Sequence, residues 1–310
     1  MDKPVIFIVG PTASGKTNLS IKLADILNTE IISADSKYFY RKMDIGTAKP
    51  DVSEMANIKH HMVDIADPDE TISVAIYKQK VTDIIANMHR QLKVPIVVGG
   101  TGQYIHAILH NWAMPELKSD QQLREVLENY AERFGKIKLY EFLQKVDPEA
   151  AKIIDFRNLR RTIRAVEVIL KTGQRFSEQR KKKASIYNQK IIGIRWDRAT
   201  LYQRIDHRIE KMIENGLIQE VRKLLDLGCS SDIPSMTAIG YREIAGYIQG
   251  ENTLDEAIVL MKRNSRQYVR RQANWFKDND PNIMWFEGVD LEFSRVVEYI
   301  KSDEGWINPE

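Results

Sequence analysis

The octapeptide Gly10-Pro11-Thr12-Ala13-Ser14-Gly15-Lys16-Thr17 constrains this chain more than any other feature. A continuous apolar run, Val5-Ile6-Phe7-Ile8-Val9, precedes it, and a helix-like stretch to Leu27 follows. An apolar run of that length ending in a glycine turn reads as a buried strand. Strand, glycine-rich turn and helix in this order form a cradle for phosphate. Backbone N–H groups point inward, and the helix N-terminus adds partial positive charge. The spacing G-x-x-x-x-G-K-T adds Lys16 as a full positive charge and the Thr17 hydroxyl as a ligand for Mg²⁺. The motif leaves open which molecule carries the phosphate and whether phosphate is transferred.

The 310 residues allow one to three domains. A hydrophobic content of 43% and a charged content of 29% fit an ordinary soluble protein. No apolar run approaches the roughly 20 residues that span a bilayer. The first strand begins within five residues of Met1, so no signal or transit peptide is expected. The single cysteine, Cys229, excludes an internal disulfide and a cysteine-based zinc site, and reads as a small buried residue. These features predict a cytoplasmic protein without membrane contact. The net charge of +3 says little, but its distribution is uneven. Residues 157–183 carry ten Lys or Arg against Glu167 and Glu178. Residues 255–278 carry Lys262, Arg263, Arg266, Arg270, Arg271 and Lys277 against three acids. Such blocks, interleaved with Tyr and Trp, suit a polyanion such as RNA, or else form solvated helix faces.

Strands are expected at Val5–Val9, Glu30–Ala34, His61–Ile65, Val94–Val98 and Lys190–Trp196. Helical patterns at Lys16–Leu27 and Val74–Leu92 separate the early ones. This alternation predicts a parallel sheet covered on both faces, with ligands beyond the strand C-termini. Three of those ends carry glycine or polar residues: 10–17, 33–36 and 99–102. From about Met114 to Tyr187 strand signals vanish and helical periodicity takes over. The expected organisation is therefore an α/β core, residues 1–113 and 188–310, interrupted by a helical insertion domain, residues 114–187. After Arg198 the chain reads as mainly helical. Leu201, Ile205, Ile209 and Met212 form an apolar stripe there, and Arg204, Arg208 and Lys211 a basic one.

Asp35 ends the second expected strand, near the phosphate loop. It can hold Mg²⁺ through water, act as a general base, or simply cap a turn. Gly99-Gly100-Thr101-Gly102 allows a ligand to approach the backbone closely, or makes a tight helix start. His60 and His61 point in different directions and suit hydrogen bonding better than metal ligation. Met62-Val63-Asp64-Ile65 reads only loosely as a strand ending in a Mg²⁺-binding aspartate.

Taken together, certain stretches identify a family. They are G-P-T-A-S-G-K-T (10–17), I-I-S-A-D-S (31–36), M-D-I-G-T-A-K-P (43–50), H-H-M-V-D-I-A-D-P (60–68) and V-V-G-G-T-G (97–102). L-R-R-T-I-R-A-V-E-V (159–168), I-G-Y-R-E (239–243) and R-Q-A-N-W-F (271–276) complete the set. The chain resembles the tRNA dimethylallyltransferase (tRNA isopentenyltransferase) family across about residues 4–287. The resemblance implies a P-loop NTPase-like parallel sheet flanked by helices, with a helical insertion domain and a helical C-terminal region. It implies transfer of a dimethylallyl group from dimethylallyl diphosphate to N6 of adenosine 37, in tRNAs that read codons starting with U. Mg²⁺ is the implied cofactor, held by Thr17, and the anticodon stem-loop of tRNA the implied partner of a monomeric enzyme.

Residue by residue, the resemblance gives Gly10, Thr12, Ala13, Ser14, Gly15, Lys16 and Thr17 the diphosphate. It gives Asp35 the role of general base and brings Thr101 and Arg208 into catalysis. The implied tRNA contacts are Asp35, Ser36, Lys37, Tyr38, Thr101 and Arg124, then Arg160, Arg161, Thr162, Ile163 and Arg164. They continue with Gly240, Tyr241, Arg242, Arg270, Arg271, Gln272 and Trp275. The sequence departs from the family at Tyr38, usually Gln, at Gln103, usually Leu, and at Asn274, usually Thr. Tyr at position 38 would stack or give one hydrogen bond where Gln could pair with an adenine edge. Other readings of the same loop are a small-molecule or nucleotide kinase, a prenyltransferase of free adenine nucleotides, and a non-catalytic RNA-binding protein. The basic helices argue against the second of these, and Lys16, Thr17 and Asp35 together argue against the third.

Overall fold

Apolar runs rich in Val and Ile supply the sheet. In the computed structural model, which describes residues 3–113, 120–180, 184–302 and 306, six strands pair in parallel in the order β3-β2-β4-β1-β5-β6. The strands are β1 (Pro4–Val9), β2 (Ile31–Ser33), β3 (His60–His61), β4 (Ile96–Gly99), β5 (Asn188–Arg195) and β6 (Ile283–Glu287). The helices are α1 (Lys16–Ile26), α2 (Val74–Arg90), α3 (Gly102–Leu109), α4 (Gln121–Phe134), α5 (Lys136–Val146) and α6 (Pro148–Ile153). They continue with α7 (Leu159–Thr172), α8 (Arg198–Glu214), α9 (Leu217–Asp226), α10 (Tyr241–Ile248), α11 (Leu254–Ala273) and α12 (Phe293–Lys301). The described residues fall into two compact units, 1–109 with 186–310, and 110–185.

In the first unit the sheet is buried on both faces, as a parallel sheet must be. Val5, Phe7 and Val9 point into one apolar cluster, which also takes in α2, α8, α9 and α10. Ile6 and Ile8 point into the other, with α1 and α12. The helices begin where capping chemistry allows: Ser73 Oγ accepts the Ile76 N–H at 3.2 Å, and Thr253 and Glu256 form a reciprocal capping box on α11. The apolar stripe Leu201, Ile205, Ile209 and Met212 is buried. In the second unit, Leu127, Leu139, Leu143, Ile163 and Val166 close a separate core among α4 to α7.

The register aligns the functional strand ends. Val9 lies beside Gly99 and Gly193, and Ser33 beside Val98. The loops that follow β1, β2 and β4 therefore open on one edge of the sheet. Gly99 permits this spacing, since a Cβ there would stand 2.6 Å from the Ala34 carbonyl.

One expectation fails. The strand expected at His61–Ile65 stops after His61, because Met62 and Asp64 adopt positive φ and turn the chain away. The Asp64 and Ile65 N–H groups bond instead to the Tyr38 and Phe39 carbonyls. Asp64 then pairs with Lys49 at 2.7 Å, so it is no strand-end metal ligand. The C-terminal region is mainly helical, as expected, and β6 adds an edge strand beside β5. Its five residues carry an alternation too short to stand out between helices. Trp285 of β6 packs over Gly193, where a Cβ would collide with the indole and stand 2.7 Å from Ile283. Gly193→Ala is accordingly expected to lower stability by about 1–3 kcal/mol through overpacking, read as a shifted urea midpoint with an unchanged slope.

Candidate active site

The phosphate loop is shaped by unusual backbone angles. Gly10, Ala13 and Gly15 all take positive φ, and Gly15 passes directly into α1. Gly10 cannot carry a side chain, because a Cβ would lie 2.5 Å from the Ile194 carbonyl oxygen of the neighbouring strand. Lys16 folds back over the loop and donates to the Pro11 carbonyl at 2.5 Å. Burial pulls its ammonium down to about 8, with Asp35 opposing the fall and Arg208 reinforcing it. All three charges thus lie close enough to act on one another.

Two cavities meet here. The larger, about 570 Å³, is lined by the phosphate loop from Thr12 to Thr17 and by Asp35, Tyr38, Arg204 and Arg208. The second, about 250 Å³, has mostly apolar walls, among them Ile205, Ile209, Met212, Ile239 and Met261, with Lys37, Ser265, Tyr268 and Arg271. Thr12, Asp35 and Arg208 line both. An anionic group in the first cavity can therefore adjoin an apolar or aromatic group in the second, with a carboxylate and a guanidinium at the junction.

Asp35 is set by an Asx turn, its Oδ1 accepting the Lys37 N–H at 2.9 Å. Its own N–H donates to Ser33 Oγ at 3.2 Å. Arg208 on α8 donates to the Thr47 carbonyl at 2.7 Å. Arg204, one turn earlier, donates to the Ala13 carbonyl at 2.8 Å and stacks over Trp196, whose indole N–H donates to the Ser14 carbonyl at 3.0 Å. Trp196 was not anticipated as part of the site. Its position at the end of an expected strand, opposite the loop, was the available signal.

Gln272 occupies an unexpected place. It is buried on α11, where its Oε1 accepts the Thr12 N–H at 2.9 Å and its Nε2 donates to the Gly100 carbonyl at 3.0 Å. It couples the phosphate loop to the Gly99–Gly102 loop and has no free amide face for RNA. Tyr268 adjoins Thr101 and Gln272, and burial raises its hydroxyl to about 12, with Asp35 adding to the rise. Thr101 Oγ1 lies 3.5 Å from the Ser36 N–H. Tyr38 donates to the Ala48 carbonyl at 2.8 Å and faces the larger cavity, its hydroxyl raised to about 12, chiefly by burial. That hydroxyl is already engaged, and Tyr38 does not line the second cavity.

The other sequence-derived positions divide by exposure. Arg160, Arg242, Arg270 and Arg271 are exposed, and Arg161, Ser36, Lys37 and Trp275 half-buried. The side chains of Thr162, Ile163 and Tyr241 are buried, as is Gly240. Arg124 and Arg164 both bind Glu167, at 2.9 and 2.7 Å, and this fully buried carboxylate also accepts the Asp120 N–H. By sequence, Glu167 is only a stray acid in a basic block. Lys181, Lys182 and Lys183 of that block lie outside the described residues. His61 bonds to Glu30 at 2.6 Å and His60 to the Ile58 carbonyl at 2.8 Å. Cys229 is half-buried rather than buried as expected, and partial burial raises its thiol.

Among the described residues no group of three or more His, Cys, Asp or Glu is placed to hold a metal ion. A small hard cation needs fewer, because it keeps several waters and takes one or two protein ligands plus phosphate oxygens. Thr17 and Asp35 line the same cavity and fit that requirement.

Fold and site thus define a phosphate-cradling α/β protein whose anion pocket opens onto an apolar one. Residues 38–279 match the IPP transferase family model, and the chain belongs to that family. A relative named tRNA dimethylallyltransferase, from Halalkalibacterium halodurans, is 43% identical over 300 residues, 96% of this chain and 95% of the relative. Another of that name, from Bacillus pumilus, is 46% identical over 92% of this chain and 90% of its own length. The solved tRNA isopentenylpyrophosphate transferase of Bacillus halodurans aligns with a TM-score of 0.72 and 42% identity, covering 97% of this chain and 95% of its own. A eukaryotic dimethylallyltransferase caught acting on tRNA aligns with a TM-score of 0.83 and 28% identity, over 97% of this chain and 79% of its own.

Two outcomes test the geometry. Gln272→Leu strands the buried Gly100 carbonyl and the half-buried Thr12 N–H, and diphosphate affinity measured by calorimetry is expected to fall by about tenfold or more. Lys16 must be charged to hold an anion, so binding is complete below about pH 8 and weakens as pH rises through that value. Inorganic diphosphate affinity is expected to fall by up to about tenfold per pH unit above that point, relative to a Lys16→Arg control that does not titrate there.

Proposed function

We propose that this chain is a tRNA dimethylallyltransferase. It moves the dimethylallyl group of dimethylallyl diphosphate to N6 of adenosine 37, in tRNAs reading codons that start with U. The observation that carries this reading is the junction at which Asp35 and Arg208 line both the phosphate-loop cavity and the mostly apolar one. A kinase differs in making its product only with ATP. An RNA-binding protein without chemistry would need neither the loop nor the junction.

The diphosphate sits in the loop, against its N–H groups and Lys16, with Arg208 alongside. As the C1–O bond of the donor breaks, negative charge grows on the departing diphosphate, and these groups stabilise it. Mg²⁺, held by Thr17 and the diphosphate oxygens, would add a Lewis acid there. The adenine N6 lone pair is delocalised into its ring, so N6 is a weak nucleophile that must be held against C1. The N6–C1 bond forms, the C1–O bond breaks, and Asp35 accepts the N6 proton. The products are N6-(dimethylallyl)adenosine and diphosphate. The base reaches the junction by leaving its stack, as in other enzymes that modify bases.

The exposed arginines form the RNA grip. Arg263 and Arg270 flank a basic groove with Tyr202 and Lys262 on α8 and α11. In residues 110–185, Glu167 presents Arg124 and Arg164 side by side. These positions suit phosphates and carry no sequence information themselves. We take the enzyme to act as a monomer. No helix among the described residues is long and apolar enough to cross a membrane.

The primary test is incubation with labelled dimethylallyl diphosphate, Mg²⁺ and unmodified tRNA without nucleoside triphosphate. Label at adenosine 37, found by nucleoside mass analysis, is the expected outcome, and a strict need for ATP would overturn the reading. Asp35→Asn is expected to slow single turnover by about 10²–10⁴-fold while tRNA affinity stays near that of the wild type. Replacing Arg263 and Arg270 with Ala is expected to weaken binding to every tRNA and to lessen the salt slope by about one for each phosphate left without its arginine.

A further inference from the structure

We propose that Glu220 and Tyr241 are positioning residues for Arg208, acting through the backbone of residues 44–47. The proposal rests on the reading of Arg208 given above. Glu220, on α9, gathers three successive backbone N–H groups onto one carboxylate. Its Oε2 accepts from Asp44 at 3.0 Å and Ile45 at 2.9 Å, and its Oε1 from Gly46 at 3.1 Å. The Tyr241 hydroxyl donates the fourth bond, to Oε1 at 2.6 Å. A carboxylate offers about four acceptor sites, and all are filled. Successive N–H groups converging on an anion form a nest, a conformation the anion itself helps to hold.

The Tyr241 ring completes the clamp. It is fully buried and lies against Gly46, where a Cβ would stand 2.5 Å from the ring. Burial, and then Glu220, raise its hydroxyl well above the ordinary range, so it remains a donor. The next residue is Thr47. Its hydroxyl donates back to the Met43 carbonyl at 2.7 Å, and its own carbonyl oxygen accepts from Arg208 at 2.7 Å. Among the described residues this is the hydrogen bond that orients Arg208. Gly46 and Thr47 line the second cavity beside Arg208. The four bonds to Glu220 therefore set the carbonyl that sets the guanidinium at the junction.

Neither residue has to touch substrate for this role. Glu220 lines neither cavity at the junction, and the Tyr241 side chain has no exposed surface, so it is not available for the tRNA contact that the resemblance implies at this position. A guanidinium displaced by about an ångström loses much of its hold on a developing charge, and such misplacement can lower rates by about a hundredfold.

The experiment uses the full chain with tRNA and dimethylallyl diphosphate, and compares Glu220→Gln, Tyr241→Phe, Arg208→Ala and the two doubles with Arg208→Ala. Glu220→Gln replaces an acceptor oxygen with an amide that repels the N–H groups, and is expected to lower kcat/KM for the donor by about 10- to 100-fold. Tyr241→Phe removes one oxygen and keeps the packing, and is expected to lower it by about 3- to 10-fold even should the first variant fold poorly. Both are expected to leave the tRNA Kd within about twofold, and to change turnover by less than about twofold once Arg208 is Ala. Full additivity in the Arg208→Ala background, or losses confined to thermal stability, would overturn the relay alone. Arg208→Ala turning over like the wild type would instead overturn the role given to Arg208, and the relay with it.

Discussion

A lysine ammonium withdrawn from water, within electrostatic reach of a carboxylate and a guanidinium, is the interaction around which the rest of this molecule is arranged. Burial disfavours its charge, Asp35 favours it, and Arg208 opposes it. Such a site favours an anion, because an anion offsets the repulsion between two neighbouring cations. The loop backbone is already committed to receiving that anion. Three residues at positive φ, a lysine folded onto the Pro11 carbonyl and two outside braces, from Arg204 and Trp196, hold its shape. Fixing the donors of such a loop in place is how electrostatic stabilisation avoids reorganisation during reaction.

Around this centre, polar groups that look like surface chemistry serve as internal struts. Gln272 spends both amide atoms on two loops. Glu220 collects three N–H groups and a phenol. Glu167 gathers two arginines and a backbone N–H. A buried polar group deprived of its partners would carry the full desolvation penalty, so each such group selects one loop conformation over its neighbours. The same property makes these residues hard to read from sequence. A Gln in a basic helix resembles an RNA contact until the fold shows where its amide points.

The segments whose sequence pattern misleads have a common cause. Met62 and Asp64 take positive φ, which nothing about Met or a single Asp announces, so an apolar pattern that suggests a strand becomes a turn. The short β6 is recognised as a strand by its neighbour β5, whose Gly193 leaves room for Trp285. In both places local pattern gives way to partners distant in the chain. Tyr38 is a third case: its hydroxyl goes to Ala48, ten residues on, and its ring to the phosphate cavity.

The amino-acid order alone determined the phosphate loop, the parallel strands β1, β2, β4 and β5, and Asp35 at a strand end, because those features depend on local spacing and on one-dimensional periodicity. It also carried the family, through motifs spread along nearly the whole chain. Only the tertiary structure decided that Asp35 and Arg208, 173 positions apart, share the wall between two cavities. It alone decided which acids and amides brace loops and which arginines stay exposed. The reason is physical: a hydrogen bond or a desolvated charge depends on what lies within a few ångströms, and that neighbourhood exists only once the sheet has assembled.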